Sequence, residues 1–269
     1  MAITDFQRTV CRLLAATRIA SGESYVAGGV ALNELLAAPR RSRDIDLFHD
    51  TNEALDASWQ ADRKLLEAKG LVVQVLRERA GIVQVRVSAG SDAVLVEWVR
   101  DSAYRFFPLV EHADLGLVLH PFDLATNKLL AMVGRVEPRD WVDVIECDTR
   151  LQPLGYLAWA ACGKDPGFSP RSILEEAARG AHYSAREIDT LDFDGQPPDP
   201  AALSRRWHAM VKIAHQVLDL LPASEIGRCV LTDRLDLCCN GPEELSVALA
   251  RGAIRFHEGS IRGAVPRVG

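Results

Sequence analysis

The sequence predicts an α/β protein, with a mixed sheet and its helices over residues 1–120 and a mostly helical second half over residues 121–269 that ends in a small strand element. Three observations carry this. Asp44-Ile45-Asp46-Leu47-Phe48 alternates strictly between polar and apolar side chains, which marks a strand with one buried face. Three apolar, β-branched runs, Leu71 to Leu76, Ile82 to Ser88 and Ala93 to Val99, are separated by charged or glycine-containing turns and predict neighbouring strands of an antiparallel or mixed sheet. From Pro121 the period becomes helical, with Phe122, Ala125, Leu129, Met132 and Val133 on one face.

Taken in order, the first twenty residues read as an amphipathic helix, because Asp5 and later charges interrupt the apolar face that a signal peptide would need. Ser21-Gly22 breaks it. Tyr25 to Ala27 is a short apolar run that stops at Gly28-Gly29, and residues 30–38 then look helical. Residues 53–69 form a further helix ending at Gly70. In the second half, helices are predicted at 140–149, 153–162, 170–180 and 201–221. The proline- and aspartate-rich stretch from Asp192 to Pro200 is the best linker candidate. Arg228 to Leu231 and Ile254 to Val265 suggest a terminal strand or hairpin.

Composition narrows the function classes. With 269 residues, 48% hydrophobic and 25% charged, the chain can bury a real core, and no apolar run approaches the roughly 18 residues that span a bilayer. The expectation is a cytoplasmic protein. Its six cysteines include no C-x-x-C pair and no zinc-like spacing with histidine, so they read as buried small hydrophobes. A net charge of -6 argues against a broad nucleic-acid-binding surface while leaving room for a local basic groove. No G-x-S-x-G segment and no P-loop pattern occurs.

The chemistry concentrates in Gly28-Gly29-Val30 and Arg41-Ser42-Arg43-Asp44-Ile45-Asp46. Strand residues two apart share a face, so Asp44 and Asp46 present two carboxylates side by side, and these repel unless a cation joins them. Mg²⁺ is the natural partner, since it accepts carboxylate oxygens and keeps positions open for phosphate. A Gly-Gly turn opening a helix supplies the complement, as backbone N–H groups can face a phosphate with no side chain in the way. Together they point to phosphoryl or nucleotidyl transfer. Glu97, the one acid inside the apolar run Val94 to Val99, is the candidate third metal ligand, because burying it without a partner is costly. Arg40, Arg41 and Arg43 form a basic cluster beside the acidic pair and are candidates for gripping nucleotide or RNA. His49 reads as a surface group at the strand end.

With Asp123-Leu124-Ala125-Thr126-Asn127-Lys128-Leu129-Leu130-Ala131-Met132, then Arg135, then Arg139-Asp140-Trp141-Val142-Asp143, the chain resembles the AbiEii-type toxin nucleotidyltransferases of the DNA polymerase beta-like superfamily over about residues 20–165. The resemblance implies a nucleotidyltransferase-like fold, with Lys128 and Asp143 contributed to the site from the second half. It implies that Gly28, Gly29 and Ser42 bind nucleotide and that Asp44 and Asp46 hold Mg²⁺. Lys128 would contact phosphate, and Asp143 would orient that lysine or accept a proton. Arg139 and Asp140 would tie the helix start in place. Asp140 and Asp143 lie three apart and can share a helix face. Two departures stand out: Val30 replaces a serine common in such folds, and Glu97 replaces the more usual aspartate. The implied activity is transfer of a nucleoside monophosphate from a nucleoside triphosphate to an acceptor hydroxyl, with an RNA (tRNA) end as the possible acceptor. The implied context is a toxin with a cognate antitoxin. The alternative is an inactive nucleotide-binding or regulatory module.

Overall fold

The computed structural model describes residues 3–181 and 183–267. In chain order the elements are α1 (Asp5–Ser21), β1 (Ser24–Ala27), α2 (Gly28–Leu35), β2 (Asp44–His49), α3 (Asn52–Ala68), β3 (Val72–Arg79), β4 (Ile82–Ala89), β5 (Asp92–Arg100), β6 (Tyr104–Arg105), β7 (Val110–His112) and β8 (Gly116–Val118). Then follow α4 (Pro121–Gly134), α5 (Pro138–Arg150), α6 (Leu154–Ala161), α7 (Pro170–Gly180), α8 (Ala185–Asp189), α9 (Pro200–Leu220), β9 (Cys229–Thr232), α10 (Pro242–Ala250), β10 (Ile254–His257) and β11 (Ser260–Ile261). The chain forms two compact units. The first comprises residues 1–103, 109–120 and 193–195, and the second residues 104–108, 121–192 and 196–269.

The first unit is built on a seven-stranded mixed sheet in the order β3-β4-β5-β2-β1-β8-β7. Successive hairpins pair β3 with β4 and β4 with β5 antiparallel, while β2 lies parallel to β5 and antiparallel to β1. Pairing in β2–β5 sets Asp46 opposite Glu97 and Asp44 opposite Leu95. Alternation then sorts the two faces. Ile45, Leu47 and His49 are buried with Val94, Val96 and Trp98 on one side, whereas Asp44, Asp46, Leu95 and Glu97 are only half-buried on the other. Helices α1 and α3 cover the buried side, where Trp59 packs on Trp98 with ring centroids 4.9 Å apart.

Helix α1 starts at a capping box in which Thr4 and Gln7 bond each other's backbone, and it ends where Gly22 turns left-handed at φ 66°. Its buried Arg18 reaches Asp62 of α3 at 2.8 Å, and Asp62 also accepts the Trp98 indole N–H at 2.9 Å. A fully buried charge is thereby neutralised and hydrogen-bonded, fixing α1, α3 and β5 to one another.

The second unit is mostly helical. Tyr156, Leu157, Ile173, Leu174, Trp207 and Val217 form its apolar interior between α6, α7 and α9. Asp123 at the start of α4 is fully buried and accepts Phe106 N–H at 2.8 Å, Phe107 N–H at 3.0 Å and the Lys164 ammonium at 2.8 Å. This clasp holds segment 104–108 in the second unit. The β9–β10 hairpin is tied to the helices by Gln152, whose amide N–H₂ donates to the carbonyls of Val230 and Cys238 at 2.9 Å each.

The stretch expected to be a linker is not a free tether. Phe193 is buried and bridges to Arg40, Asp194 N–H donates to the Pro39 carbonyl at 2.7 Å, and Asp194 pairs with Arg41. The aromatic ring and the aspartate give the segment a docking point that its prolines concealed. No helix among the described residues is long and apolar enough to cross a membrane.

Candidate active site

The sequence-predicted site residues fall into two groups, one in each unit. In the first unit, strand β1 ends at Ala27, opposite Asp46 in β2. The chain turns there into α2 through Gly28, whose φ of +66° is the left-handed region that favours glycine. A Cβ added at Gly28 would sit 1.7 Å from Asp46 Oδ2, and one at Gly29 would lie 2.7 Å from Ser42 Oγ and 2.8 Å from the Arg40 guanidinium. Gly28-Gly29 is therefore a helix start with the Asp46 carboxylate, the Ser42 hydroxyl and Arg40 packed directly on its backbone. Ala27 supplies no side-chain cap, and the positive end of α2 favours the negative charge that Asp46 brings. Ser42 Oγ lies 3.4 Å from Asp44 Oδ1, a contact at the long limit of hydrogen bonding.

Asp44, Asp46 and Glu97 thus share one face of the parallel β2–β5 pair. Glu97 accepts the Gln84 amide of β4 at 2.5 Å, so its charge is held by a neighbouring strand. Among the described residues, no three His, Cys, Asp or Glu side chains form a group ready to hold a metal ion. The donor set still suits Mg²⁺, which is bound by one or two carboxylates and completes its shell with phosphate oxygens and water. Asp44 and Asp46, hard oxygen donors beside a side-chain-free helix start, fit that requirement.

In the second unit, Lys128 of α4 lies 2.9 Å from Asp140 and 3.2 Å from Asp143, both on α5. Arg135 reaches the other Asp140 oxygen at 2.8 Å. Asp140 and Asp143 are fully buried and the Lys128 side chain is 8% exposed, so these charges are compensated within the protein interior. Burial pushes the Asp140 carboxyl up, but Lys128 and Arg135 more than offset this and hold it below the usual carboxylate range. The three-residue spacing of Asp140 and Asp143 brings both to the same ammonium. Sequence reasoning assigned the orienting role to Asp143 and only a helix-start role to Asp140. The spacing already implied that both could reach the lysine.

Several expectations change. His49 is not a surface group: it is fully buried, with Nδ1 3.4 Å from the Val99 carbonyl, and burial lowers its pKa to about 4. It falls on the apolar side because the alternation that exposes Asp44 and Asp46 buries every second residue after them. The three arginines do not form a common patch. Arg40 is buried over Gly29 and donates to the Arg41 carbonyl at 3.0 Å, Arg41 pairs with Asp194 at 2.7 Å, and Arg43 is exposed. Five cysteines are buried as expected, and Cys239 is exposed.

This geometry, an acidic strand pair beside a glycine helix start on a mixed sheet, defines the nucleotidyltransferase fold. A family model described as nucleotidyl transferase AbiEii toxin, type IV TA system, matches residues 12–147. The chain belongs to this family, and it is an enzyme of the nucleotidyltransferase class and a toxin of a toxin–antitoxin system by that membership. Among solved structures it is similar to MenT4, a nucleotidyltransferase toxin from Mycobacterium tuberculosis, with 19% identity over 91% of this chain and 92% of that one and a TM-score of 0.53. It is also similar to JHP933 from Helicobacter pylori, with 12% identity over 81% and 95% of the two chains and a TM-score of 0.50. These likenesses concern the fold. No curated protein sequence matches the chain.

Proposed function

We propose that the protein moves a nucleoside monophosphate from a nucleoside triphosphate to a hydroxyl at an RNA end, with a tRNA terminus as the acceptor, and releases pyrophosphate. The observation that carries this reading is the Asp46 carboxylate packed on the bare backbone of Gly28 at the start of α2. Asp44 and Asp46 would hold Mg²⁺, with Glu97 as the third carboxylate on the same face. When bound, the ion supplies positive charge to the transferring phosphate and acidifies the attacking hydroxyl.

The remaining roles belong to the chain itself. The room a Cβ would take at Gly28 and Gly29 is filled by the Asp46 carboxylate, the Ser42 hydroxyl and the Arg40 guanidinium, so the two glycines bring these groups onto the positive start of α2, where a metal-bound phosphate would meet them. Ser42, against Gly29 and Asp44, orients phosphate and carboxylate together. Lys128 is the phosphate-facing cation in this reading, and Asp140 and Asp143 fix its ammonium in place. The acceptor oxygen bonds to the α-phosphorus, the bond to the bridging oxygen breaks, and pyrophosphate leaves. Positioned charge of this kind acts on the transition state, so its loss lowers the rate more than it weakens binding. Val30 is consistent with this, because its backbone N–H remains available to the helix end although its side chain carries no hydroxyl. A cognate antitoxin is the expected protein partner.

The test is incubation with each α-labelled nucleoside triphosphate, Mg²⁺ and cellular RNA. Label is expected to appear in RNA with one equivalent of pyrophosphate, and Glu97→Gln is expected to slow the reaction. Release of free nucleoside monophosphate without labelled RNA would instead make water the acceptor and contradict the proposal.

A further inference from the structure

Helix α9 carries a charge pattern unlike the rest of the chain. It contains Arg205, Arg206 and Lys212, and its acidic residue, Asp219, lies in the last turn and pairs with Arg171, within a protein of net charge -6. Its inner face is apolar, with Leu203, Trp207, Met210, Ala214 and Val217 buried. Arg205, His208, Lys212 and His215 follow one another at spacings of three, four and three residues, which places them in a single stripe on the opposite side. The first three are exposed and His215 is half-exposed. At 1.5 Å of rise per residue the stripe is about 15 Å long. Arg206, also exposed, lies off the stripe on the other flank of the helix, where its charge acts on Asp148 of α5.

Little within the protein neutralises this stripe. The ion pair of Arg205 is with Asp199 at 3.6 Å, between side chains 72% and 62% exposed, an arrangement that water screens. The face also lacks the features of a protein-binding surface. Interface cores are depleted in charge and enriched in aromatic residues. Here Trp207 is buried, and the exposed apolar Ile213 lies off the stripe, on the flank that carries Arg206. The helix is anchored to the lysine cluster of its own unit, because Trp207 packs on Trp141 with ring centroids 6.3 Å apart, and Trp141 directly follows Asp140.

We propose that the outer face of α9 is a docking surface for the RNA backbone, with Arg205 and Lys212 contacting successive phosphates and His208 and His215 lining the track. The proposal rests on the reading of RNA as acceptor, and it adds the surface that holds the acceptor outside the chemical site. A short cationic track on a protein of net charge -6 selects a compact RNA over long duplex, since the net negative charge disfavours additional phosphates.

Binding of fluorescein-labelled transfer RNA, measured by anisotropy from low to high salt, tests this. Three proteins are compared: the wild type, the stripe variant Arg205→Ala/Lys212→Ala, and a charge-matched control, Lys64→Ala/Lys69→Ala, altered at exposed sites elsewhere. Thermal melting confirms that each is folded. The stripe variant is expected to bind roughly tenfold more weakly, with the slope of log K against log salt reduced by about 2, while the control binds like the wild type. Equal losses in the two variants, no loss in either, no RNA binding by the wild type, or preferential binding of poly-L-glutamate over RNA would each overturn the proposal. Nucleotide transfer assayed on the same samples separates the two readings. Wild-type transfer with an unaltered stripe variant removes the docking surface alone. Stripe-dependent RNA binding without transfer by the wild type keeps the surface and removes the transfer reading.

Discussion

Asp46 in the first unit and Asp140 in the second are both acidic residues of the family motifs, yet they sit in different surroundings. Asp140 is fully buried, takes the Lys128 ammonium at 2.9 Å and the Arg135 guanidinium at 2.8 Å, and belongs to a closed cluster. Asp46 is half-buried, shares its sheet face with Asp44 and Glu97, and lies against backbone that has no side chain. A closed cluster is an internal support, because removing one member leaves the others buried without full compensation. Asp44, Asp46 and Glu97 instead share a half-buried sheet face, which in the proposed reading is where Mg²⁺ would be held. The difference in burial separates an ion cluster inside the second unit from a half-buried acidic face of the first, although both lie in the same family motifs.

The comparison can be broken by substitution, and the largest effect is expected at Gly28. Gly28→Ala forces a Cβ into the Asp46 carboxylate at a backbone φ of +66°. The atoms it meets are the end of a side chain, so Asp46 turns away and the chain still folds, at a cost of about 1–2 kcal/mol from the left-handed backbone. Nucleotide transfer is expected to fall roughly a thousandfold, equivalent to about 4 kcal/mol. Transfer assays beside denaturant unfolding check this, and an active Gly28→Ala protein would detach the helix start from the site.

Asp140→Ala comes next. It leaves Lys128 with one fewer carboxylate in a buried setting, and a loss of about 3 kcal/mol in unfolding free energy is expected. A variant as stable as the wild type would show that the cluster is not a support.

A smaller effect sharpens the contrast through pH. His49 is held neutral by burial, with its pKa lowered from 6.5 to about 4. The unfolded chain takes up a proton near pH 6.5 and the folded chain does not, so stability falls as pH drops through this window. Between pH 6.5 and 5 the expected loss is about 2 kcal/mol, at roughly 1.4 kcal/mol per unit. Asp140, held below the ordinary carboxylate value, contributes fully in that range and is lost only at lower pH. Unfolding of His49→Leu over the same range should show a flatter dependence, and an unchanged slope would assign the pH effect to other groups.

Much of this was legible in the sequence because the relevant patterns are local. The D-x-D alternation placed the two acids on one face, and the hairpin strands and the helices beginning at Pro121, Pro138 and Pro170 lie close to where their periodicity and prolines indicate. What was not legible depends on long-range pairing. The parallel β2–β5 register that sets Asp46 beside Glu97 joins segments about fifty residues apart, and short strands such as β8 acquire their identity only from their neighbours. Helix α10 was missed because its apolar face is narrow, with Leu245 as its buried residue. The burial of His49 followed from the same alternation that exposed the aspartates. Arg40 looked like part of a solvated charge run, and nothing in its neighbours revealed that its guanidinium lies over Gly29.

The most direct measurement is made on Asp46→Asn, with melting temperature and transfer from α-labelled nucleoside triphosphate to RNA recorded on the same protein. The replacement keeps the shape of the side chain and removes its charge. The expected result is a protein that still unfolds cooperatively on heating and transfers nothing above background. Transfer at close to the wild-type rate would contradict the assignment of the open carboxylate face to the chemistry.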